Sequence, residues 1–409
     1  MSNSRIADSR LGHYREVQAI LPWATQTYSK RPLPELLDDT PLFCTRAKGA
    51  TFWDSEGRAF TDYFCACGPI ILGYADERVD SAVRCEMENG FLFSVASEKE
   101  YALAKRITGL FASIDWVKYM KTGGDAMTAA VRLARVYTQK YTVLQCGFHG
   151  WQDWYQCVSL GAGRERGIPE ENLKYTISFP YGDIGALEEL MQKTPDIAAV
   201  VIAPYDWVTE LTPEYFVRLR ELCDEHGALL IFDEIKCGFR VGLLGVQGAA
   251  NVRPDITVFA KAISNGYPLA VLGGGAGLIG CFDKDCVVTT TYAGETLSMA
   301  AAMATLDVLE QGHVYTHLSR LGDILTSGIK DIASRKGLPL EALGKDSTIT
   351  LRPGFGSHEE NYAFSMALMR AHLRSGQFVK GFTDITYMMC DAHSEEDVAR
   401  LLETIDGAV

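Results

Sequence analysis

A chain of 409 residues, 47% hydrophobic and 22% charged, has the length for one large domain and a lesser one and falls outside the disordered and collagen-like classes. Its net charge of −13, from 39 Lys+Arg against 52 Asp+Glu, repels polyphosphate, and no dense basic patch offsets it. Nucleic acid and membrane are therefore not expected partners, whereas small-molecule chemistry, with a cationic substrate among the candidates, suits the balance.

The eleven cysteines include no Cys-x-x-Cys; the only close pair is Cys65-Ala66-Cys67. In an extended segment these two point to opposite faces, which makes a poor disulfide or chelate. They read as reduced, mostly buried thiols of a cytoplasmic protein. Met1 to Arg10 is polar, without the apolar core of a signal peptide. No run approaches the roughly 18 apolar residues of a spanning helix.

Residues 1–60 carry Pro22, Pro32, Pro34 and Pro41 and read as an N-terminal arm that also forms part of a small domain. Trp116–Met120 is a short strand, Thr122–Asp125 a turn, and Ala126–Thr138 a helix rich in Ala, Leu and Arg. Tyr141–Cys146 is the next strand. Asp183 caps a helix that Thr194-Pro195 stops. Ile197–Ala203 is a continuous apolar run, the pattern of a strand buried on both faces. Thr212-Pro213 opens a helix that Gly227 ends, and Ala228–Phe232 and Ile256–Phe259 are further strands. Beyond about residue 300 comes a long Ala/Met/Leu helix, then mixed elements closing with a helix capped at Ser394. Alternating strands and helices define an α/β chain with a mostly parallel sheet sandwiched by helices. Three segments are expected: 1–60, a large domain over 61–300, and a smaller α+β portion over 301–409 that joins the N-terminal arm.

Several residues could carry chemistry, and each has an ordinary alternative. Thr122-Gly123-Gly124 between a strand and a helix suits a phosphate cradle or a plain tight turn. Asp233-Glu234 ends a strand, where α/β sheets bind ligands, but could equally cap a helix. Lys261 ends an apolar run, as a Schiff-base lysine does, or snorkels to the surface. Phe148 could stack on a planar ring or pack in the core. His313 and His317 share a helical face without the acid of a zinc motif, so no metal site is expected. Gly273–Gly277 lacks the spacing of a dinucleotide turn.

Taken in order, a phosphate turn, an aromatic, a strand-end Asp and a Lys 28 positions later follow the layout of a pyridoxal-phosphate site. The stretches Leu230–Arg240 and Pro254–Lys261 resemble the cofactor segments of the class III aminotransferases, members of fold type I. Gly68–Tyr74 and Ala129–Arg135 resemble the glutamate-1-semialdehyde aminomutase branch.

That resemblance implies pyridoxal 5'-phosphate as cofactor, Lys261 as the Schiff-base lysine and proton shuttle, and Asp233 as partner of the ring nitrogen. Phe148 would stack on the ring, Ile235 pack behind it, and Thr122, Gly123 and Gly124 grip the phosphate. Thr291 would reach the phosphate of a neighbouring subunit, which implies a homodimer with shared sites.

Ala203-Pro204 stands where most of the family has Glu-Pro, which puts in doubt the switch between substrates with and without a second carboxylate. The patterns Asp233–Arg240 and Ala260–Gly266 look like a subgroup that aminates sugar carbonyls, including aminoglycoside 6'-aldehydes. Lys30, Arg31, Trp151, Tyr155 and Arg352 are the candidate substrate residues. The expected reaction is transfer of an amino group from an amino acid such as L-glutamate to an aldehyde or ketone, by ping-pong kinetics. An intramolecular aminomutase, or an epimerase at the amine carbon, uses the same lysine. A binding protein on a degenerate fold would not keep Lys261, Asp233 and the phosphate turn together.

Overall fold

A computed structural model describes residues 3–156, 166–283 and 285–409. They form two compact units, Glu77–His313 and the combined termini, Met1–Asp76 with Val314–Val409.

The larger unit is built on a seven-stranded sheet. In chain order its strands are β1 (Trp116–Met120), β2 (Thr142–Cys146), β3 (Thr176–Ser178), β4 (Ile197–Ile202), β5 (Leu229–Asp233), β6 (Ile256–Phe259) and β7 (Ala270–Gly274), and in space they lie β1-β7-β6-β5-β4-β2-β3. Pairing is parallel from β3 across to β6. β7 is antiparallel to both β6 and β1, so β1 again runs with the rest. The carboxyl ends of β1, β2, β4, β5 and β6 therefore share one edge of the sheet. This is where open α/β sheets place their ligands.

Both faces are buried, because strand residues alternate between two helical layers. Val143, Val201, Ile231 and Val258 pack on one side, with the small residues Ala126, Ala130 and Ala134 of helix α1 (Gly123–Thr138). Leu144, Val200, Leu230 and Phe232 pack on the other, with Leu187 and Met191 of α2 (Ile184–Lys193) and Phe216, Leu219 and Cys223 of α3 (Pro213–His226). Every residue of β4 is buried, as its unbroken apolar run predicts. The expected caps are present: Asp183 accepts from the Ala186 N–H at 2.9 Å, and Thr212 from the Tyr215 N–H at 3.3 Å.

In the unit of the termini, the strands Cys44–Lys48, Thr51–Asp54 and Ala59–Asp62 form a meander, and Gln377–Phe378 adds parallel to the last of them. A second sheet joins Leu340–Lys345, Thr348–Pro353, Ile385–Met388 and Lys380–Gly381.

Four local expectations change. Residues 61–76, expected in the large domain, belong with the termini, because Thr61 and Asp62 pair with Gln377 and Phe378. Residues 301–313 stay with the large unit. The long helix near residue 300 is two helices, Thr296–Leu309 and His313–Lys336, separated at Gly312, whose φ of +78° no helix accommodates. Finally, α1 starts at Gly123 rather than Ala126, with Thr122 as its cap. Among the described residues no helix is long and apolar enough to cross a membrane.

Candidate active site

The shared edge gathers groups from four strand ends. After β1, Thr122 caps α1, its Oγ1 accepting the Asp125 N–H at 3.2 Å. Gly123 and Gly124 are the first helical residues, so their N–H groups have no intrahelical carbonyl and the positive end of the helix dipole lies on them. A Cβ on Gly123 would come within 2.6 Å of Ile235 Cδ1, and one on Gly124 within 2.2 Å of Gln152 Nε2. Glycine here lets Ile235 and Gln152 pack directly against the turn. Its walls come from the segment after β5 (Ile235) and the loop after β2 (Gln152), which is how residues far apart in sequence form one cradle.

Asp233 ends β5 and is buried. Its Oδ2 lies 2.7 Å from His149 Nδ1, and its Oδ1 accepts the Ile235 N–H at 3.1 Å. His149, itself 1% exposed, has Nε2 3.1 Å from the Cys146 carbonyl oxygen. That oxygen can only accept, so the Nε2–H faces it and Nδ1 faces the Asp233 carboxylate. The ring is fixed by Trp154, stacked at 6.0 Å, and by the edge of Tyr155 at 5.2 Å. Asp233 is thus a buried acid oriented by a histidine from the neighbouring loop.

Asp233 pairs in register with Val258 of β6, and Lys261 lies three residues beyond it on the same edge. Lys261 has φ +54°, a left-handed conformation uncommon for a side-chain-bearing residue and concentrated at functional sites. Phe148, after β2, is 60% exposed and lies nearly at right angles to the Tyr155 ring, 5.8 Å between centroids.

The paired acid Glu234 has a different task. It is fully buried and accepts the N–H groups of Val246 at 3.0 Å and Gln247 at 2.9 Å, at the start of α4 (Gly245–Ala250). Burial pushes its carboxyl above the usual range. It holds a helix rather than a ligand.

Among the substrate candidates, Trp151 is exposed, but Tyr155 is not available: it is 1% exposed and its hydroxyl donates to the Gly147 carbonyl at 2.8 Å. The short helix Asp153–Gln156 turns it inward beneath His149. Arg352 is engaged by Asp384, with Nη2 and Nε 2.9 and 3.0 Å from one carboxylate oxygen. Lys30 lines a cavity of about 350 Å³ in the unit of the termini, and Arg31 lies over the Tyr28 ring at 4.5 Å. Thr291 is exposed. Sequence reasoning missed His149 and Gln152; the signal was their place just after a strand that ends on this edge.

Residues 35–342 match the family model for class III aminotransferases, and the chain belongs to that family. Its architecture is the type I fold of the pyridoxal-phosphate transferases, as expected. It is 31% identical to the glutamate-1-semialdehyde 2,1-aminomutase of Methanosarcina acetivorans over 386 residues, covering 89% of this chain and 90% of that one. It is 30% identical to the 3-aminobutyryl-CoA aminotransferase of Cloacimonas acidaminovorans, covering 92% and 91%. Among solved structures it resembles the PLP internal aldimine form of the FumI protein of Sphingopyxis sp. MTA144, with TM-score 0.88, 28% identity and coverage of 98% and 95%.

Proposed function

We propose that this enzyme uses pyridoxal 5'-phosphate to move an amino group from L-glutamate to an aldehyde or ketone, with a sugar- or aminoglycoside-type carbonyl as the acceptor. The observation that carries the reading is the convergence of the glycine cradle, the Asp233–His149 pair, Phe148 and Lys261 on one sheet edge. When bound, the cofactor supplies an electron-accepting ring that makes the proton on an amino-bearing carbon removable.

The residues present fit that group. The turn Thr122, Gly123 and Gly124 opens α1, and the amides of its first turn suit a phosphate. Asp233 binds the ring nitrogen, and His149 keeps its carboxylate in place. Phe148 would cover one face of the ring and Ile235 would pack against the other. Lys261 Nζ holds the cofactor covalently and, once released, carries the proton to and from the reacting carbon. Trp151 and the overall negative charge favour a polyhydroxylated, cationic acceptor.

Thr291 acts across a homodimer in this reading. The Thr296 N–H bonds to the Phe91 carbonyl at 2.8 Å, which sets the Thr291 segment beside an exposed apolar run, Phe91, Leu92, Phe93 and Val95. Such a patch is what a second copy would cover.

A second reading, an intramolecular aminomutase, is supported by relatives of that name at 31–32% identity. One experiment separates the two. Purified enzyme should absorb near ~420 nm, and L-glutamate alone should shift the band to ~330 nm; Lys261→Ala should lack the first band. A band that glutamate leaves unchanged, together with turnover of a single amino-aldehyde without donor, would replace the transfer reading with the mutase.

A further inference from the structure

The Cys65-Ala66-Cys67 segment has φ values of +46°, +55° and +76°, three successive side-chain-bearing residues in the left-handed region before Gly68 at +99°. Such a run is rare and needs surrounding contacts to hold it. It turns the two thiols apart. Cys67 faces outward, its sulfur 3.1 Å from Ser29 Oγ. Cys65 faces inward and is 1% exposed, its thiol 3.3 Å from the Met388 carbonyl.

In that interior Cys65 meets Cys390, 325 residues away, also 1% exposed, in a small cluster with Ala50, Ile70 and Met388. With the Cys65 thiol and His393 beside it, the Cys390 thiol is held well below its ordinary value. His393 Nδ1 lies 3.2 Å from Cys390 Sγ and also accepts the Cys390 N–H at 3.0 Å, which fixes the ring against the thiol. Its Nε2 is buried with no hydrogen-bond partner. Burial opposes a charge on His393, but the Cys390 sulfur together with Asp397 and Asp62 raises the imidazole above its usual value. Neither thiol is placed among the residues proposed for amino transfer. The cavity of about 350 Å³ is lined by Asp62, Ala66 and Tyr74, the neighbours of Cys65, so a small solute reaches the wall of this cluster.

We propose that Cys390 and Cys65 form an oxidisable dithiol site, with His393 as its base, that takes hydrogen peroxide or a small hydroperoxide as oxidant. His393 takes the Cys390 thiol proton as the sulfur attacks a peroxide oxygen; the S–O bond forms, the O–O bond breaks, and the departing hydroxide takes that proton from His393 and leaves as water. Cys65 sulfur then attacks the Cys390 sulfenic sulfur. The S–S bond forms, the S–O bond breaks, and the leaving hydroxide takes the Cys65 proton as a second water. Two thiols are oxidised by two electrons and one peroxide is reduced to two waters. The product ties the strained segment after Ala59–Asp62 to the end of the strand Ile385–Met388.

The test uses the intact holoenzyme and a small excess of hydrogen peroxide, followed by denaturation, alkylation and tryptic mapping. The expected product joins Ala59–Arg78 to Gly381–Arg400, is reversed by dithiothreitol, persists in Cys67→Ala and is absent in Cys390→Ala. His393→Gln should form it about tenfold more slowly at neutral pH. A Cys65–Cys67 bond, or Cys65 and Cys390 both alkylated after exposed Cys85 has been oxidised, would overturn the proposal. An unchanged rate in His393→Gln would remove His393 from it.

Discussion

Replacing His149 by Phe keeps an aromatic ring against Trp154 and Tyr155 but removes both hydrogen bonds of the imidazole. One of these, to Asp233 at 2.7 Å, is charge-assisted, and such bonds contribute about 1.5–3 kcal/mol. The other, to the Cys146 carbonyl at 3.1 Å, contributes about 1 kcal/mol. Asp233 is 4% exposed and keeps only the Ile235 N–H, so water does not replace the lost donor. The expected loss is therefore about 3 kcal/mol, or about a hundredfold in an equilibrium constant. It should divide between the stability of the cofactor-free protein and its affinity for pyridoxal phosphate. Urea unfolding followed by circular dichroism reads the first part, and titration of the visible band reads the second. A cycle with Asp233→Asn isolates the contact: the double variant should cost less than the two single losses summed, by at least ~1.5 kcal/mol. Additivity within ~0.5 kcal/mol would show that the imidazole does not hold the carboxylate, and the reasoning about the site would fall.

Gly124→Ala should weaken pyridoxal phosphate binding by about tenfold or more while making α1 slightly more stable, since alanine is the better helix former. The nearest atoms in the way all belong to the Gln152 side chain, so adding Gln152→Ala should restore binding; failure of that rescue would move the phosphate elsewhere. Acid should destabilise the protein through His372, which is fully buried, with Gln377 Oε1 at 2.7 Å from Nδ1 and the Tyr387 hydroxyl at 3.1 Å from Nε2. Burial lowers its pKa to about 4 from the ordinary 6.5, so between these values the unfolded chain takes a proton that the folded one refuses. The stability it contributes is complete above pH about 6.5 and declines by ~1.4 kcal/mol per unit as pH falls toward 4, about 3 kcal/mol in all. Urea midpoints at neutral and mildly acidic pH should differ more in the native protein than in His372→Asn; equal differences would refute this.

Local sequence determined most of the larger unit. The apolar run Ile197–Ile202 reads as a strand buried on two faces because no polar residue interrupts it, and Asp183 and Thr212 announce helices because their side chains satisfy nearby amides. Thr122, Asp233 and Lys261 could be singled out for a similar reason: each sits at a strand or helix end, a position that short-range signals mark. The partners of these residues could not be read in this way. His149 meets Asp233 across 84 positions because the sheet order leaves only β4 between their strands and both end on the same edge, which no local pattern encodes. Tyr155 faces inward, and Arg352 is taken up by Asp384, for the same reason. In sequence Cys65 has Cys67 two residues on, while its buried neighbour Cys390 lies 325 residues away. Caps and periodicity act over a few residues; which side chains share a buried space depends on strand order and chain crossing, and only the folded chain decides those.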